Sequence, residues 1–414
     1  MLIDFRVSNH RSIQEEQVFT TVANGKLKDV ADYRPRKIDG LKERLLPALA
    51  IYGANASGKT NLLSGLDFMS DAVVFSHRMW EPDSGIPRDP FAWGEAKQKE
   101  SVFEADFLIN RCRYQYGFSV DDESVLEEWL YWFPNGKKAK LFEREGQEFE
   151  YGDGLKGQTK IIEQITGNNA LYLSAASQHR NEQLFPIYSW FRSINIYNLE
   201  MQRRRRRPPR LRARLGDILR QETGERSDED NLLLNRFKKL LAASDFGIND
   251  VRREETDKKY LANYYLQHSV EDENPWLPLE EESNGTKTMF RLGIPVLEAL
   301  THGTILMIDE LESSLHPLLA MELIKLFNDP NSNPKNSQLI FTTHDSNLLG
   351  TTISEPAVRR DQVYLTEKSE NGATVIYPLT DFKPRKSENL ERGYLQGRYG
   401  AIPFLGHFSN LGSE

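Results

Sequence analysis

Apolar and polar residues alternate at the start of the chain. Ile3, Phe5 and Val7 fall on one side of an extended backbone, and Leu2, Asp4, Arg6 and Ser8 on the other. That period of two predicts a strand, paired early in a sheet. The run "LLPALAIYG" is continuously apolar up to Gly53 and predicts a short buried strand. After it, Leu62, Leu63, Leu66, Met69, Val73 and Val74 recur at helical spacing through "TNLLSGLDFMSDAVVFSH". Strand-like runs such as "SVFEADFLI" and "RYQYGFSV" follow, then a turn-rich break at "GDGLKGQ". "LLLNRFKKLLAASDF" has helical periodicity, and another helix is expected from about Thr286. "TILMIDELE" predicts a buried strand with carboxylates at its end, "HPLLAMELIKLFN" a helix and "SQLIFTTHDSNLL" a further buried strand. "DQVYLTEK" and "ATVIYPL" predict a late pair of strands. Short apolar strands followed by helices predict an α/β fold with a mixed or largely parallel sheet flanked by helices. Ligands of such sheets bind beyond the carboxyl ends of the strands.

Bulk properties narrow this picture without changing it. The chain has 414 residues, which suggests two or three lobes or one large domain with insertions. Hydrophobic residues make up 39% and charged residues 28%, enough apolar material for a real core. Mean hydropathy is −0.59 and no long apolar run stands out, so no helical membrane span is expected. The opening "MLIDFRVSNHRSI" lacks the basic, apolar, small-residue order of a secretory signal. The one cysteine, Cys112, lies in an alternating stretch and reads as a half-buried strand thiol, consistent with a reducing cytoplasm. Net charge is −8, so any nucleic-acid contact has to be local.

The buried strand and the helix after it bracket "GANASGKT". This matches G-x-x-x-x-G-K-[ST] with Gly53, Gly58, Lys59 and Thr60, in the strand–turn–helix context that a phosphate loop requires. Glycines let backbone N–H groups turn inward, and the helix offers its positive end to phosphates. Asn55, Ser57 and Asn61 complete the candidate nucleotide-binding stretch. Lys59 is expected on the β- and γ-phosphates and the Thr60 hydroxyl on Mg²⁺. Asp309, at the end of "TILMID", is a second oxygen donor for the metal, and Glu310 beside it is placed to polarise an attacking water. The alternative for this pair is an acidic strand end capping the next helix. His344 ends another buried strand and is read either as structural or as a sensor of the γ-phosphate. Ser283, Asn284, Gly285 and Lys287 open the helix of "SNGTKTMFRL". They read either as an ordinary N-cap or as a second anion-ready helix start that binds the γ-phosphate held by another subunit.

Phosphate loop, Ser-x-Gly signature, Asp-Glu strand end and strand-end histidine occur in that order. The chain resembles ABC-type ATPases of the SMC/RecF/Rad50 class. The resemblance implies ATP and Mg²⁺ as cofactors and an ATP-sandwich dimer. It makes Glu310 the catalytic base, His344 the switch histidine and "SSLHP" (Ser313 to Pro317) the D-loop. "FRVSNHRSI" is similar to the N-terminal Asn-x-Arg-Ser element of this class, which implies that Arg11 approaches the nucleotide. "NGTKT", "IDELESSLHP", "TTHDSNLL" and "GYLQGRYGAIPFL" are similar still to AAA15-type ATPases of prokaryotic defence loci, RloA/AbiL-like proteins. That resemblance implies a cytoplasmic ATPase subunit of abortive anti-phage immunity. It would work with a separately encoded effector, a Toprim-type or other nuclease. Glu282 departs from the leucine usual at the first signature position, and Gln115 and Gln178 are both candidates for the Q-loop glutamine.

Expected segments are 1–195 for the first part of the ATPase head and 196–275 for a basic, helical insertion. Residues 276–365 would carry signature, Asp309 and His344, and 366–414 the last strands and tail. No sustained heptads indicate an SMC arm. The stretch after His344 is too short for the C-terminal Toprim nuclease of OLD proteins. The run "RRRRRPPRLRAR" contains Arg203 to Arg207. It reads either as a solvated loop or as a contact for nucleic acid or an acidic partner. "GYLQGRYGAIPFL" reads either as a strand and turn on the sheet or as a docking element. A RecF-like ATPase stimulated by DNA is the alternative to effector control, and a nonenzymatic scaffold is a further one.

Overall fold

The computed structural model describes residues 1–27, 32–197, 216, 218–219, 227–244, 247–255, 262–350, 355–385 and 388–403. The arginine run, including Arg203–Arg207, lies outside these residues. The chain divides into two units, Met1–Ile194 with Ile340–Glu414, and Asn195–Leu339. Signature segment and Asp309 strand thus share a unit with the segment expected as an insertion.

In the first unit the opening alternation forms β1 (Leu2–Ser8), with Ile3, Phe5 and Val7 buried. β1 pairs antiparallel with β2 (Gln17–Thr20) on one side and β6 (Ser101–Ile109) on the other. β7 (Cys112–Val120), β8 (Val125–Trp132), β9 (Ala139–Glu145) and β10 (Glu148–Tyr151) extend it to seven strands in the order β10-β9-β8-β7-β6-β1-β2. β3 (Arg36–Lys37) and β4 (Arg44–Leu45) make a separate small ladder. Cys112 is half-buried in β7, as its alternating context predicts.

The apolar run before the glycine-rich loop forms β5 (Ala48–Gly53), buried at all six positions. It runs parallel to β17 (Val363–Lys368), which pairs antiparallel with β18 (Thr374–Pro378). β16 (Gln338–Thr343), part of this unit from Ile340 onward, neighbours β5 on its other side. Strands covered on both faces read as continuous apolar runs, which is why β5 and β16 show no alternation. Helix α1 (Lys59–Met79) buries Leu62, Leu63, Leu66, Met69, Val73 and Val74. Around it stand α2 (Thr159–Ile165), α3 (Tyr172–Gln178) and α4 (Phe185–Arg192). Ser70 of α1 donates to the Phe191 carbonyl at 2.8 Å and Ser76 Oγ accepts from Leu171 N at 3.1 Å. Asn389 caps the short α8 (Leu390–Leu395).

The second unit pairs β11 (Asn195–Tyr197) parallel with β15 (Ile305–Ile308). α5 (Asp228–Ala243) opens on a Ser227 cap and has three acidic residues in its first turn, a charge order that suits the helix dipole. It packs on α6 (Asn284–His302), with Phe237 and Phe290 rings 5.5 Å apart. α7 (Pro317–Asn328) follows β15. Beyond the helix expected in the insertion, the unit carries a three-stranded antiparallel sheet of β12 (Ile248–Glu255), β13 (Ala262–His268) and β14 (Trp276–Pro278). Among the described residues no helix is long and apolar enough to cross a membrane.

One polar cluster in the first unit has no exposure at all. Glu128 and Arg144 side chains are 0% exposed and 3.6 Å apart. Glu128 also accepts from the Tyr116 hydroxyl at 2.9 Å and from the N–H groups of Tyr172 and Leu173 at 2.6 and 3.0 Å. Arg144 donates to the carbonyls of Gly146, Ala170 and Gly167. Burial pushes the Glu128 carboxyl up despite these partners. Replacing Glu128 by leucine leaves a buried guanidinium uncompensated, so Glu128→Leu is expected to cost about 3–5 kcal/mol. The double variant with Arg144→Met is expected to recover most of that loss, read by chemical denaturation followed by circular dichroism.

Candidate functional site

The glycine-rich loop leaves β5 at Gly53 and enters α1 through Gly58, which has φ 109. L-residues avoid that conformation, and a Cβ at Gly58 would also press onto the Thr374 hydroxyl, so only glycine suits the position. α1 has no side-chain cap and no acidic residue in its first turn. Its first N–H groups and its positive dipole end therefore remain directed to the loop, the arrangement an anion requires. Asn55 and Ala56 at the loop tip are exposed, with Ala56 at φ 62, and Thr60 is half-buried.

Lys59 is only 6% exposed, so its ammonium needs partners. Nζ lies 3.0 Å from the Gly53 carbonyl, 3.1 Å from the Ala54 carbonyl and 2.9 Å from His344 Nε2. An ammonium only donates, so His344 Nε2 accepts, which assigns the ring proton to Nδ1. Two residues separated by 285 positions in the chain are thus brought together at the end of β16.

Hydroxyls brace the loop from behind. Ser57 Oγ and Thr366 Oγ1 are 2.7 Å apart, and Thr366 also donates to the Tyr52 carbonyl at 3.1 Å. Thr374 Oγ1 donates to the Ser57 carbonyl at 2.8 Å and meets Ser12 Oγ at 2.8 Å. Asn61 Nδ2 donates to the same Ser12 oxygen at 2.6 Å. Ser12 is the serine of the Asn-x-Arg-Ser element, whereas Thr366 and Thr374 did not stand out in the sequence. Their only local signal is a hydroxyl in an otherwise apolar strand or turn. Arg11, next to Ser12, sits at φ 51 and pairs through Nε with Asp89 at 3.1 Å. Asn9 pins the same turn by donating to the carbonyls of Ala96, Lys99 and Glu100. Of the Q-loop candidates, Gln178 ends α3 and donates to the Tyr188 hydroxyl at 3.3 Å, while Gln115 lies within β7.

The second unit holds the other candidates. β15 delivers Asp309, half-buried, whose N–H donates to the Tyr197 carbonyl at 3.1 Å. Glu310 is exposed and adopts φ 54, a left-handed conformation unusual for a glutamate. Non-glycine residues in that region concentrate at sites where geometry matters more than local strain. Ser283 caps α6, its Oγ accepting from Thr286 N at 3.1 Å, so the N-cap reading is realised. Ser283 and Asn284 are exposed, Gly285 and Lys287 half-buried, and the first turn of α6 carries no acid. Glu282 is buried and 2.6 Å from His268 Nε2 at the end of β13.

A phosphate suits the uncapped α1 start and the cradle at Gly58. The Thr60 hydroxyl in the first unit and the Asp309 carboxylate in the second are each of the oxygen type that Mg²⁺ takes. A family model described as "AAA domain, putative AbiEii toxin, Type IV TA system" matches residues 49–350, from β5 past His344. The chain belongs to this family. It is a P-loop ATPase with an α/β head. No curated protein matches it. Solved structures similar to it include an SMC head domain from Thermotoga maritima, with 14% identity, 91% of this chain and 98% of that one covered, and a TM-score of 0.41. An SMC head bound to the C-terminal winged-helix domain of ScpA shares 13% identity over 91% and 96% of the two chains, TM-score 0.45. A third, from Pyrococcus furiosus, is an SMC head with an extended coiled coil bound to the C-terminal domain of ScpA. It shares 11% identity over 96% and 98%, TM-score 0.42.

Gly58→Ala is expected to cost about 1–3 kcal/mol through backbone strain. Wild type is expected to gain melting temperature from MgATP, and Gly58→Ala to lose that gain. Differential scanning fluorimetry with and without MgATP reads both.

Proposed function

We propose that this ATPase is the nucleotide-hydrolysing subunit of an anti-phage, abortive-infection system of the AAA15, RloA/AbiL-like type. In this reading it assembles through ATP held between subunits and controls a separate effector, a nuclease. The observation that carries the nucleotide half is the Lys59 ammonium held 2.9 Å from His344 at the base of a glycine-rich loop. It supports the reading by bringing Lys59 and the strand-end histidine to one spot. The toxin and Type IV toxin–antitoxin wording of the family description supports the defence half.

Lys59 and the positive start of α1 take the phosphates, with Asn55, Ser57 and Asn61 shaping the loop. The Thr60 hydroxyl and the Asp309 carboxylate hold Mg²⁺, which supplies neutralisation of phosphate charge. Glu310 Oε accepts the proton of the attacking water, and its exposure on a left-handed turn leaves the carboxylate accessible. Ser283, Asn284, Gly285 and Lys287 offer the start of α6 to nucleotide held by a second copy, since a capped helix still presents its remaining N–H groups. Arg11 serves the nucleotide after release from Asp89. The chain is read as cytoplasmic, with Arg203–Arg207 as the segment for a nucleic acid or an acidic partner.

Purified chain should hydrolyse ATP as an oligomer, independently of duplex DNA, and chelation of divalent cations should stop turnover. Glu310→Gln is expected to lower kcat by at least about 10²-fold while ATP remains bound. Turnover assays, nucleotide-binding measurements and light scattering test this. Normal turnover by Glu310→Gln overturns the base assignment. DNA-stimulated turnover that is lost on neutralising Arg203–Arg207 overturns effector control in favour of a DNA-maintenance ATPase.

A further inference from the structure

The C-terminal motif "GYLQGRYGAIPFL" takes no part in the nucleotide site described above, yet it builds a cavity of its own. Tyr399 and Gly400 line an open hollow of about 440 Å³ with Glu367, Tyr377, Asp381 and Phe382, all within the first unit. Glu367 is near the end of β17, Tyr377 is on β18, and Asp381 and Phe382 lie on the turn that follows. In the β17–β18 register Leu365 faces Tyr377 and Glu367 faces Val375, so Glu367 and Tyr377 share a face. Thr366, between them in the alternation, points the opposite way and meets Ser57 of the phosphate loop. The cavity is therefore on the other face of the ladder from the nucleotide loop.

Its lining is ordered by specific bonds. The Tyr377 hydroxyl donates to the Tyr399 carbonyl at 3.1 Å, and Ala401 N donates to Glu367 Oε2 at 3.3 Å. The Tyr399 hydroxyl donates to Glu388, which also pairs with Arg398 at 2.7 Å, so that neighbouring cation is already engaged. Gly400 has φ 68, and a Cβ there would stand 2.6 Å from the Tyr377 hydroxyl and 2.7 Å from Glu367 Oε2. A side chain at this position would intrude on the lining. The Phe382 ring lies 5.8 Å from Tyr377 at 55° and 5.5 Å from Tyr399 at 65°. Phe382 is exposed and Tyr377 half-buried, whereas Tyr399 is buried, so the first two rings are the ones a ligand can reach.

Two carboxylates and the Tyr377 and Phe382 rings make a surface that repels anions and attracts cations. Among the described residues no three His, Cys, Asp or Glu side chains converge as a metal site, so a bare metal ion lacks its ligands here. A planar guanidinium meets both demands at once, stacking on an aromatic face while donating to carboxylates in its plane. We propose that this cavity binds an organic cation of the guanidinium class, either a free alkylguanidine or an arginine side chain of a polypeptide.

Calorimetric titration of the nucleotide-free full chain at low ionic strength tests it, so its outcome is independent of the ATPase reading. The probes are agmatine, the blocked peptide acetyl-Gly-Arg-Gly-amide and the same peptide with neutral citrulline. At least one guanidinium probe should bind saturably, one per chain, with the citrulline peptide at least about tenfold weaker. A tighter peptide identifies a polypeptide source, and equal or tighter agmatine a free cation. Asp381→Asn and Phe382→Ala, both at exposed positions, should each weaken binding at least about fivefold with an unchanged melting temperature. Absence of saturable binding by both guanidinium probes, equal binding of the citrulline peptide, or wild-type affinity in both variants overturns the proposal.

Discussion

An α-helix that begins without a side-chain cap depends on the loop before it to fix its first turn, and α1 begins in that way. A capping side chain would stabilise such a start by about 1 kcal/mol, so its absence has to be offset elsewhere. The offset is visible behind the loop. Ser57, Thr366, Thr374, Ser12 and Asn61 form a connected set of short polar contacts, through which Thr374 holds the Ser57 carbonyl. Because these groups lie in the interior, each needs its partner, and the loss of one strands another. The identities of β17 and β18 residues and of the turn after β1 are thus constrained by a helix start that none of them belongs to. The anion-ready geometry is held by the fold before any ligand arrives.

Local pattern made much of this legible. A strand-length apolar run, a glycine-lysine turn and a helical spacing of leucines lie within one short stretch, and each was readable from neighbouring residues alone. The long-range half was not. Thr366 is 309 positions from Ser57, and Thr374 is 362 from Ser12. A threonine in a strand reads the same whether its hydroxyl faces a neighbour strand or a phosphate loop. The seven-stranded antiparallel sheet was legible as separate strand-like runs, but its order is a matter of pairing between segments. Similarly, helical periodicity announced α5, while the mixed polar and aromatic text from 248 to 278 gave no clear strand signal for β12 to β14.

Glu282 shows how a departure from an expected pattern becomes intelligible in three dimensions. A carboxylate at a position where leucine is usual looks like a damaged signature. In the second unit that carboxylate is buried and engages His268 at 2.6 Å, immediately before the Ser283 cap. A leucine there would leave His268 without this partner. The helix start is accordingly fixed twice, by Ser283 on the inside of the first turn and by the Glu282–His268 contact just ahead of it.

The contact between Lys59 and His344 carries the argument about nucleotide a step further. Three acceptors surround the ammonium, and an arriving phosphate competes with them for its protons. The Gly53 carbonyl belongs to β5, and the Ala54 carbonyl also accepts from Ser57 N at 3.2 Å, so both are fixed by the backbone. His344 is the one side chain of the three, half-buried at the open end of β16. Rotation about its side-chain bonds frees it without disturbing a ladder. Within the proposed cycle, the partner that Lys59 exchanges for phosphate is therefore the histidine, and the ring so released has Nε2 available to a new donor. Loss of phosphate restores the original contact. In the proposed cycle a strand-end histidine senses nucleotide through competition for a single lysine.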